Sequence, residues 1–373
     1  MKKVVINALA YKQNSSGIGV MIRELFEPYT KRTKRPCQVI LPNDGPEFHG
    51  SESTENTRIP YRHGQNLRRI FFQTFQMGRQ YCKNTVLLTT DSKVPFFLPK
   101  SCEVVPLITD LAVFRMPEAY QTSRVLWWRF QYQYMKRRAK HFLAISEYTK
   151  KDIQEILHIP SEQITVVYDA CSPSIHRVTD DGELRALREQ YDLPEHFVLF
   201  VGNSNPRKNL DRLMQAFDRV KSRTNLPYQL IIAGEQGWRF SREQALKKVE
   251  YKEDIRFIGF VPDEQMSALY SAADVFAFPT LYEGFGIPVL EAQVCGTPVL
   301  TSKCTALPEV GGDAALYADP YSIEEIADNL ERLMTDEKLR TELIQKGFAN
   351  EKRFSWEASA QQLDEWIERN IAE

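Results

Sequence analysis

The chain has 373 residues, of which 43% are hydrophobic and 26% are charged; this balance excludes a disordered chain, and the length favours two domains. No apolar run is long enough to span a membrane, and the first one covers only three residues, too few for a secretory signal. The six cysteines lack C-x-x-C spacing, so we expect reduced thiols in a cytoplasmic protein.

The net charge of −1 conceals an uneven distribution of charge along the chain. Residues 1–170 contain 25 Lys and Arg against 15 Asp and Glu, and the remaining residues contain 23 against 34. We therefore expect the first half to meet an anionic partner, such as a phosphorylated acceptor or a membrane surface. The alternative is that the charges simply lie on solvated faces.

Short β-rich runs alternate with longer helical stretches along most of the chain, a pattern that predicts α/β domains with doubly wound parallel sheets. The first series of predicted strands covers residues 4–7, 38–41, 85–88, 103–108, 142–145 and 164–168. The second series covers residues 197–201, 229–233, 255–258, 275–278 and 297–301.

The two series divide the chain into two predicted domains. The first comprises residues 1–172 together with a closing helix at 355–373, the second comprises residues 195–354, and residues 173–194 form the connection. Because open parallel sheets bind ligands at the carboxyl ends of their strands, we expect the functional residues in loops that follow strands.

One such loop follows the predicted strand 275–278 and carries Glu283, with Gly284, Phe285 and Gly286 after it. Pro288 suits the first turn of a helix that begins near Ile287, and Glu291 lies one turn further on. A helix N-terminus beside two glycines is a site for a pyrophosphate, and the two carboxylates would accept hydrogen bonds from sugar hydroxyls. The alternative is a loop charge at Glu283 and a helix-dipole charge at Glu291.

The Glu, seven residues, Glu spacing in this stretch resembles the signature of the fourth family of retaining nucleotide-sugar glycosyltransferases. The resemblance implies a GT-B fold, with two Rossmann-like domains whose parallel sheets face across a cleft and a C-terminal helix that packs back on the first domain. It also implies that Glu283 lies near the donor sugar and that Glu291 binds the ribose hydroxyls.

A second motif, residues 200–210, resembles the donor-phosphate loop of the same family. Lys208 matches the family lysine that meets the pyrophosphate, and Gly202 matches the turn after the strand. Asn203 stands where many members have arginine, so we assign the second phosphate contact to Arg207. Three further stretches resemble the family: residues 232–234, residues 257–262, in which Gly259 and Phe260 would flank the nucleotide base, and residues 307–314.

In the first domain, Gly17 and Gly19 follow the first strand within residues 14–19, and similar glycines border the donor in the family; an ordinary tight turn is the alternative. Asp110 matches part of a His-Asp pair, but Thr109 replaces the histidine, which removes any catalytic imidazole there. Asp110 either orients the acceptor or caps a helix.

The family resemblance implies transfer of a hexose such as mannose to a polysaccharide or lipid-linked glycan, with the departing phosphate oxygen as the base. Arg207, Lys208 and the helix N-terminus would stabilise the leaving diphosphate. No Asp-x-Asp occurs in the chain, so we expect no metal and no cofactor besides the nucleotide-sugar co-substrate. The alternatives are a silent nucleotide-sugar-binding or assembly subunit and a nucleotide-sugar epimerase.

Two segments mix cations with aromatic residues: residues 62–79, with Arg68, Arg69, Phe71, Phe72 and Phe75, and residues 124–140, with Trp127, Trp128, Lys136, Arg137 and Arg138. This mixture suits peripheral contact with the inner face of a membrane or with a diphosphate-linked acceptor. The alternative is that the rings are core and the cations solvated. No nucleic-acid-binding module accompanies the basic residues, so we expect no nucleic acid.

Overall fold

A computed structural model describes residues 1–11, 17–61, 66–90, 93–237 and 240–371, apart from the side chain of Asn66. The chain forms two compact units, Met1–Ala170 with Phe354–Glu373 and Cys171–Arg353. Residues 173–194, predicted as a connection, lie in the second unit, where they include the helix Asp181–Tyr191.

The first unit contains a seven-stranded parallel sheet in the order β3-β2-β1-β4-β5-β6-β7. Apolar β-branched residues fill its central strands, which suits a sheet buried on both faces. The strands are β1 (Lys3–Asn7), β2 (Cys37–Pro42), β3 (Thr54–Ile59), β4 (Thr85–Thr89), β5 (Glu103–Ile108), β6 (Phe142–Ala144) and β7 (Ile164–Val166).

Helices connect these strands and include one π-helical turn at Phe72–Gln76. The α-helices of this unit are Ile18–Arg32, Asn66–Phe71, Met77–Tyr81, Ala112–Arg115, Thr122–Arg138, Glu147–Leu157 and Trp356–Asn370. Short 3₁₀ turns lie at Pro117–Ala119 and Ser161–Gln163.

The C-terminal helix Trp356–Asn370 packs against the helix Ile18–Arg32 and so belongs to the first unit, as predicted. The buried guanidinium of Arg35 holds it, because its Nε lies 2.6 Å from the Oε1 of Glu368 and its Nη2 donates to the carbonyl of Ile371. This ion pair joins residues more than three hundred positions apart in the sequence.

The second unit contains a six-stranded parallel sheet in the order β10-β9-β8-β11-β12-β13. Consecutive strands run outward from β8 in one direction and then from β11 in the other, so the topological switch point lies between β8 and β11. The strands are β8 (His196–Val201), β9 (Tyr228–Ala233), β10 (Ile255–Gly259), β11 (Val275–Phe278), β12 (Val299–Ser302) and β13 (Ala315–Ala318).

The helices of the second unit bury one apolar stripe each, as Leu213, Phe217 and Val220 do in the helix Leu210–Thr224. The α-helices are Asp181–Tyr191, Leu210–Thr224, Arg242–Leu246, Asp263–Ala272, Ile287–Val294, Leu307–Gly311, Ile323–Thr335 and Glu337–Asn350. Shorter 3₁₀ turns lie at Pro206–Lys208, Lys252–Asp254 and Glu351–Arg353.

The prediction of two doubly wound α/β domains is confirmed, but two strands were not predicted. The strand β3 is polar and half exposed, and the two middle residues of β13 are only half-buried. Both lie at the edge of their sheet, where one side of the strand has no neighbour and less apolar surface needs to be buried.

The first unit also holds a buried carboxyl group just after β7. Asp169 is 5% exposed, and its Oδ1 has no hydrogen-bond partner among the residues that the structure describes. Burial raises the pKa of Asp169 to about 7.

Of the helices within the described ranges, none has the length and apolarity needed to cross a membrane.

Candidate active site

The loops after β8 and β11 meet at the switch point of the second sheet. The loop after β11 brings Glu283 to the start of the helix Ile287–Val294, with Pro288 in its first turn. The loop after β8 contains the 3₁₀ turn Pro206–Lys208 and leads into the helix Leu210–Thr224. Since ligands bind beyond the carboxyl ends of such neighbouring strands, this is the candidate site.

Glu283 is the centre of the site, and two cations hold its carboxylate. The Nη1 of Arg207 lies 2.8 Å from the Oε2, and the Nζ of Lys208 lies 2.8 Å from the Oε1. The Glu283 residue is 7% exposed. Burial alone would raise the pKa of Glu283, but the charges of Arg207 and Lys208 and their hydrogen bonds outweigh it and lower the pKa.

Further contacts fix the two cations in place. Arg207 also donates to the carbonyl of Tyr282 at 2.7 Å, and its own carbonyl accepts from the backbone of Leu281. The Nζ of Lys208 lies 4.6 Å from the centre of the Phe278 ring, a cation–π distance. The two positive charges are therefore positioned before any ligand binds.

Asn209 joins the two loops by its side chain. It adopts the left-handed conformation at φ 59°, and its Nδ2 donates to the carbonyls of Pro279 and Pro320 at 2.9 and 2.7 Å. Because Asn209 directly follows Lys208, these bonds fix the backbone position of Lys208 at the end of the 3₁₀ turn.

Glu291 lies on the helix Ile287–Val294 and is bound by a tyrosine from the helix Asp263–Ala272. The hydroxyl of Tyr270 donates to the Oε2 of Glu291 at 2.7 Å, and Tyr270 is fully buried. Burial raises the pKa of Glu291, and the bond from Tyr270 opposes that shift. One oxygen of this half-buried carboxylate is thus committed to Tyr270.

Gly286 precedes the helix Ile287–Val294 in a conformation that suits only glycine. Its φ is 122°, and a Cβ at this position would lie 2.8 Å from the Cδ2 of Leu307. A side chain at position 286 would therefore strain the backbone where it enters the helix and press on Leu307.

Comparison with known proteins decides the family. A model of the family Glycosyl transferases group 1 matches residues 185–350, which contain the site. The O-antigen chain mannosyltransferase B of Escherichia coli is 35% identical over 265 residues, which cover 70% of this chain and 69% of the relative. The chain belongs to the group 1 glycosyltransferases.

This glycosyltransferase is also similar to a second mannosyltransferase by sequence and to a solved structure by fold. The serotype-specific mannosyltransferase WbdA of Escherichia coli is 30% identical over 231 residues, which cover 60% of this chain but only 28% of WbdA. The Anabaena protein HepE, solved with UDP and glucose, superimposes with a TM-score of 0.72 at 19% identity, and 99% of each chain is covered. The second similarity shows that the two proteins share the GT-B fold.

Apart from Gly17 and Gly19, the remaining donor-side residues predicted for this glycosyltransferase lie in the second unit. Gly284 and Phe285 are buried beside Glu283, and Gly202 directly follows β8. Asn203 is exposed, and its Oδ1 accepts from the side chain of Asn205 rather than contacting Glu283. Gly259 ends β10 at φ 76°, and Phe260 after it is 54% exposed.

The predicted residues of the first unit occupy the ends of strands and the start of a helix. Gly17 precedes the helix Ile18–Arg32 at φ 65°, and Gly19 is the second residue of that helix, whereas residues 14–16 lie outside the described residues. The Oδ1 of Asp110 accepts from the backbone of Ala112 at 3.0 Å, at the start of the helix Ala112–Arg115. Leu111 is the N-cap residue of that helix and makes no side-chain capping bond, so both interpretations of Asp110, acceptor orientation and helix capping, stay predictions.

Within the described parts of the chain, no cluster of three or more His, Cys, Asp or Glu residues has an arrangement that could hold a metal ion. Arg207 and Lys208 bring two positive charges to the carboxylate of Glu283.

Sequence reasoning did not single out Tyr270, Asn209 or Phe278. Each acts on a residue that was singled out, and two of the three are separated from it by many positions. The sequence shows Tyr270 as one apolar position of a predicted helix before β11, and Asn209 only as the residue after Lys208. Neither position identifies the residue that its side chain contacts.

Proposed function

We propose that the chain is a retaining, metal-independent hexosyltransferase that moves mannose from a nucleoside-diphosphate sugar to a polysaccharide or lipid-linked glycan. The observation that carries this proposal is the buried carboxylate of Glu283 held by Arg207 and Lys208, at the switch point of a parallel sheet. Two cations that share one carboxylate form an anion site, and Arg and Lys are both side chains that bind phosphate oxygens.

In this proposal the diphosphate of the donor takes over Arg207 and Lys208 as partners, and Glu283 turns toward the hexose. The diphosphate brings its own negative charge to the two cations, while the Glu283 carboxylate stays in the site beside the hexose. Negative charge that develops on the leaving diphosphate is then stabilised by groups that need no reorganisation. The N-terminus of the helix Ile287–Val294, next to Gly286, adds a further positive potential.

Glu291 binds the ribose hydroxyls in this arrangement. Tyr270 holds one oxygen of Glu291, which leaves the other oxygen to accept from a sugar hydroxyl. The exposed ring of Phe260 after Gly259 offers a face for the nucleotide base.

The transfer step breaks the bond between the anomeric carbon and the phosphate oxygen and forms a bond to the acceptor oxygen on the same face. The acceptor proton passes to the departing phosphate oxygen, and the products are a nucleoside diphosphate and the extended glycan. No side-chain base is required, which agrees with Thr109 at the position where relatives of the resembled family have histidine.

Mannose as the sugar and a bacterial surface glycan as the acceptor are supported by the names of the relatives, an O-antigen chain mannosyltransferase and a serotype-specific mannosyltransferase. A nucleoside-diphosphate donor is supported by the structure of HepE with UDP and glucose. We place the protein in the cytoplasm, where reduced thiols are expected, because all six cysteines are free. In this proposal the protein contacts the inner face of a membrane peripherally and does not bind nucleic acid.

A panel of nucleotide sugars tests the proposal. The protein is incubated with each sugar and with mannose-containing acceptors in the presence of a chelator, and both nucleoside-diphosphate release and the change in Tm are measured. We expect release with one mannosyl donor and no requirement for added magnesium or manganese. Stabilisation without release would support the silent binding subunit, and restoration by metal would disprove metal independence.

A further inference from the structure

A group of exposed apolar side chains lies in the first unit and contains none of the candidate site residues. Among the described residues, nine large hydrophobic side chains are exposed, and six of them belong to three segments of this unit. We call these six the ring patch: Leu67, Phe71, Phe75, Phe97, Leu126 and Phe130.

Contacts between rings join the three segments into one surface. Phe75 lies 5.3 Å from Phe71 and 6.1 Å from Phe97, measured between ring centres, and Phe96 links Phe75 to Phe130 at 5.8 Å on each side. Leu67 and Phe71 are four residues apart in one helix, as Leu126 and Phe130 are in another, so each pair shares a helix face.

Hydrogen bonds hold the backbone of Phe96, whose ring links two segments of the patch. The backbone of Phe96 donates to the carbonyl of Thr74 at 2.9 Å, and the hydroxyl of Tyr134 donates to the carbonyl of Phe96 at 2.6 Å. Phe71 is 55% exposed and Phe130 is 53% exposed. A connected exposed apolar patch of this kind marks an interaction site.

All charged side chains in the three segments of the ring patch are those of Lys and Arg. Residues 66–81, 93–100 and 122–138 contain three, two and five Lys or Arg respectively, and no Asp or Glu. The guanidinium of Arg79 lies 4.3 Å from the centre of the Phe97 ring, and Arg68 and Arg129 are exposed beside ring-patch residues in the sequence. Cations around exposed phenylalanines match an anionic lipid surface, in which the rings enter the interface and the cations meet headgroups.

We propose that the ring patch docks this enzyme on a bilayer that contains anionic lipid. A second copy of the chain would bring a patch of the same charge, since the three segments contain no acidic residue. An acidic protein partner is the competing occupant, and absence of vesicle binding would favour it. The inference gives residues to the peripheral membrane contact of the proposed function, and it does not depend on sugar transfer.

Vesicle co-sedimentation without donor or acceptor tests the proposal. We expect the full chain to bind vesicles of phosphatidylcholine with about one third phosphatidylglycerol and to bind pure phosphatidylcholine at least roughly tenfold more weakly. The double variant Phe71→Ser, Phe130→Ser should bind the anionic vesicles roughly tenfold or more weakly, because two rings no longer enter the interface. The matched control is Tyr321→Ser, which removes a 65% exposed ring from the second unit and should bind like the wild type.

Fluorescence of Trp127 gives an independent readout that does not require any change in the patch. Trp127 lies 6.0 Å from Phe130 between ring centres, so lipids with brominated acyl chains should quench it, and Trp127→Phe should remove the quenching. Absence of vesicle binding, equal binding by the double variant, or a self-association that only the double variant loses would each overturn the proposal. Failure of the sugar-transfer assay with intact vesicle binding would count against the proposed function alone.

Discussion

The hydroxyl of Tyr270 and the Oε2 of Glu291 are 2.7 Å apart, and they join the helices Asp263–Ala272 and Ile287–Val294 beneath the candidate nucleotide site. Tyr270 has no exposed surface, and its ring packs edge-on against Phe276 of β11. A buried hydroxyl that donates to a carboxylate fixes the direction of the remaining oxygen. We therefore regard Tyr270 as a positioning residue for Glu291.

Tyr270→Phe should raise the KM of the nucleotide-sugar donor roughly tenfold with little change in kcat, because a hydrogen bond to a charged group is lost. It should also reduce the preference for a ribose over a 2′-deoxyribose donor. Tyr228→Phe is the matched control, since Tyr228 is a buried tyrosine of the same unit whose hydroxyl meets the carbonyl of Met334. A merely structural role for Tyr270 would leave the preference for ribose unchanged.

Glu283→Gln should bind a nucleoside diphosphate more tightly than the wild type, by up to roughly tenfold, while it transfers sugar more slowly. The reason is that Arg207 and Lys208 no longer have to leave a charged carboxylate when the diphosphate arrives. Isothermal titration calorimetry measures the affinity, and Glu283→Asp serves as the charge-retaining control. Weaker binding by Glu283→Gln would show that Glu283 does not compete with the diphosphate.

Gly286→Ala should destabilise the chain by roughly 1–3 kcal/mol, because it adds strain at φ 122° and a contact of 2.8 Å to Leu307. Gly259→Ala is the comparison: its φ is 76°, but a Cβ there meets nothing within 4 Å. We expect a smaller loss of Tm for Gly259→Ala in thermal unfolding. An equal loss in both variants would show that the contact with Leu307 contributes nothing.

Asp169→Asn should stabilise the protein relative to the wild type at pH 8 more than at pH 4. Burial raises the pKa of Asp169 from 3.8 to about 7, so the folded state holds a proton that the unfolded state has lost. The wild type therefore loses stability as the pH rises from about 4 to about 7, and the asparagine variant does not. The difference in Tm should grow by roughly 5 °C or more over this range; a difference independent of pH would contradict it.

The buried parts of the fold could be predicted from the sequence, and the edges could not. Apolar runs such as those of β5 and β11 mark strands because both of their faces are covered. The edge strand β3 is polar along most of its length, so neither composition nor alternation separates it from a loop.

The candidate site shows the same division. Glu283, Glu291 and Lys208 could be found because their spacing along the chain resembles a family pattern. Their partners could not, since the bond from Tyr270 to Glu291 and the ion pairs of Glu283 depend on which strands are neighbours. The sequence left open whether the aromatic rings of residues 62–79 are core or lie on the surface. In the structure Phe72 is buried, whereas Phe71 and Phe75 are exposed.

In the proposed function, the cation pair on Glu283 is the site of the donor diphosphate. Calorimetric titration of a nucleoside diphosphate and the matching monophosphate into the wild type and Lys208→Met tests it most directly, with Lys303→Met as an exposed-lysine control. We expect Lys208→Met to weaken the diphosphate roughly tenfold or more, to change the monophosphate much less, and Lys303→Met to change neither. Equal affinity of the wild type and Lys208→Met for the diphosphate would contradict the account.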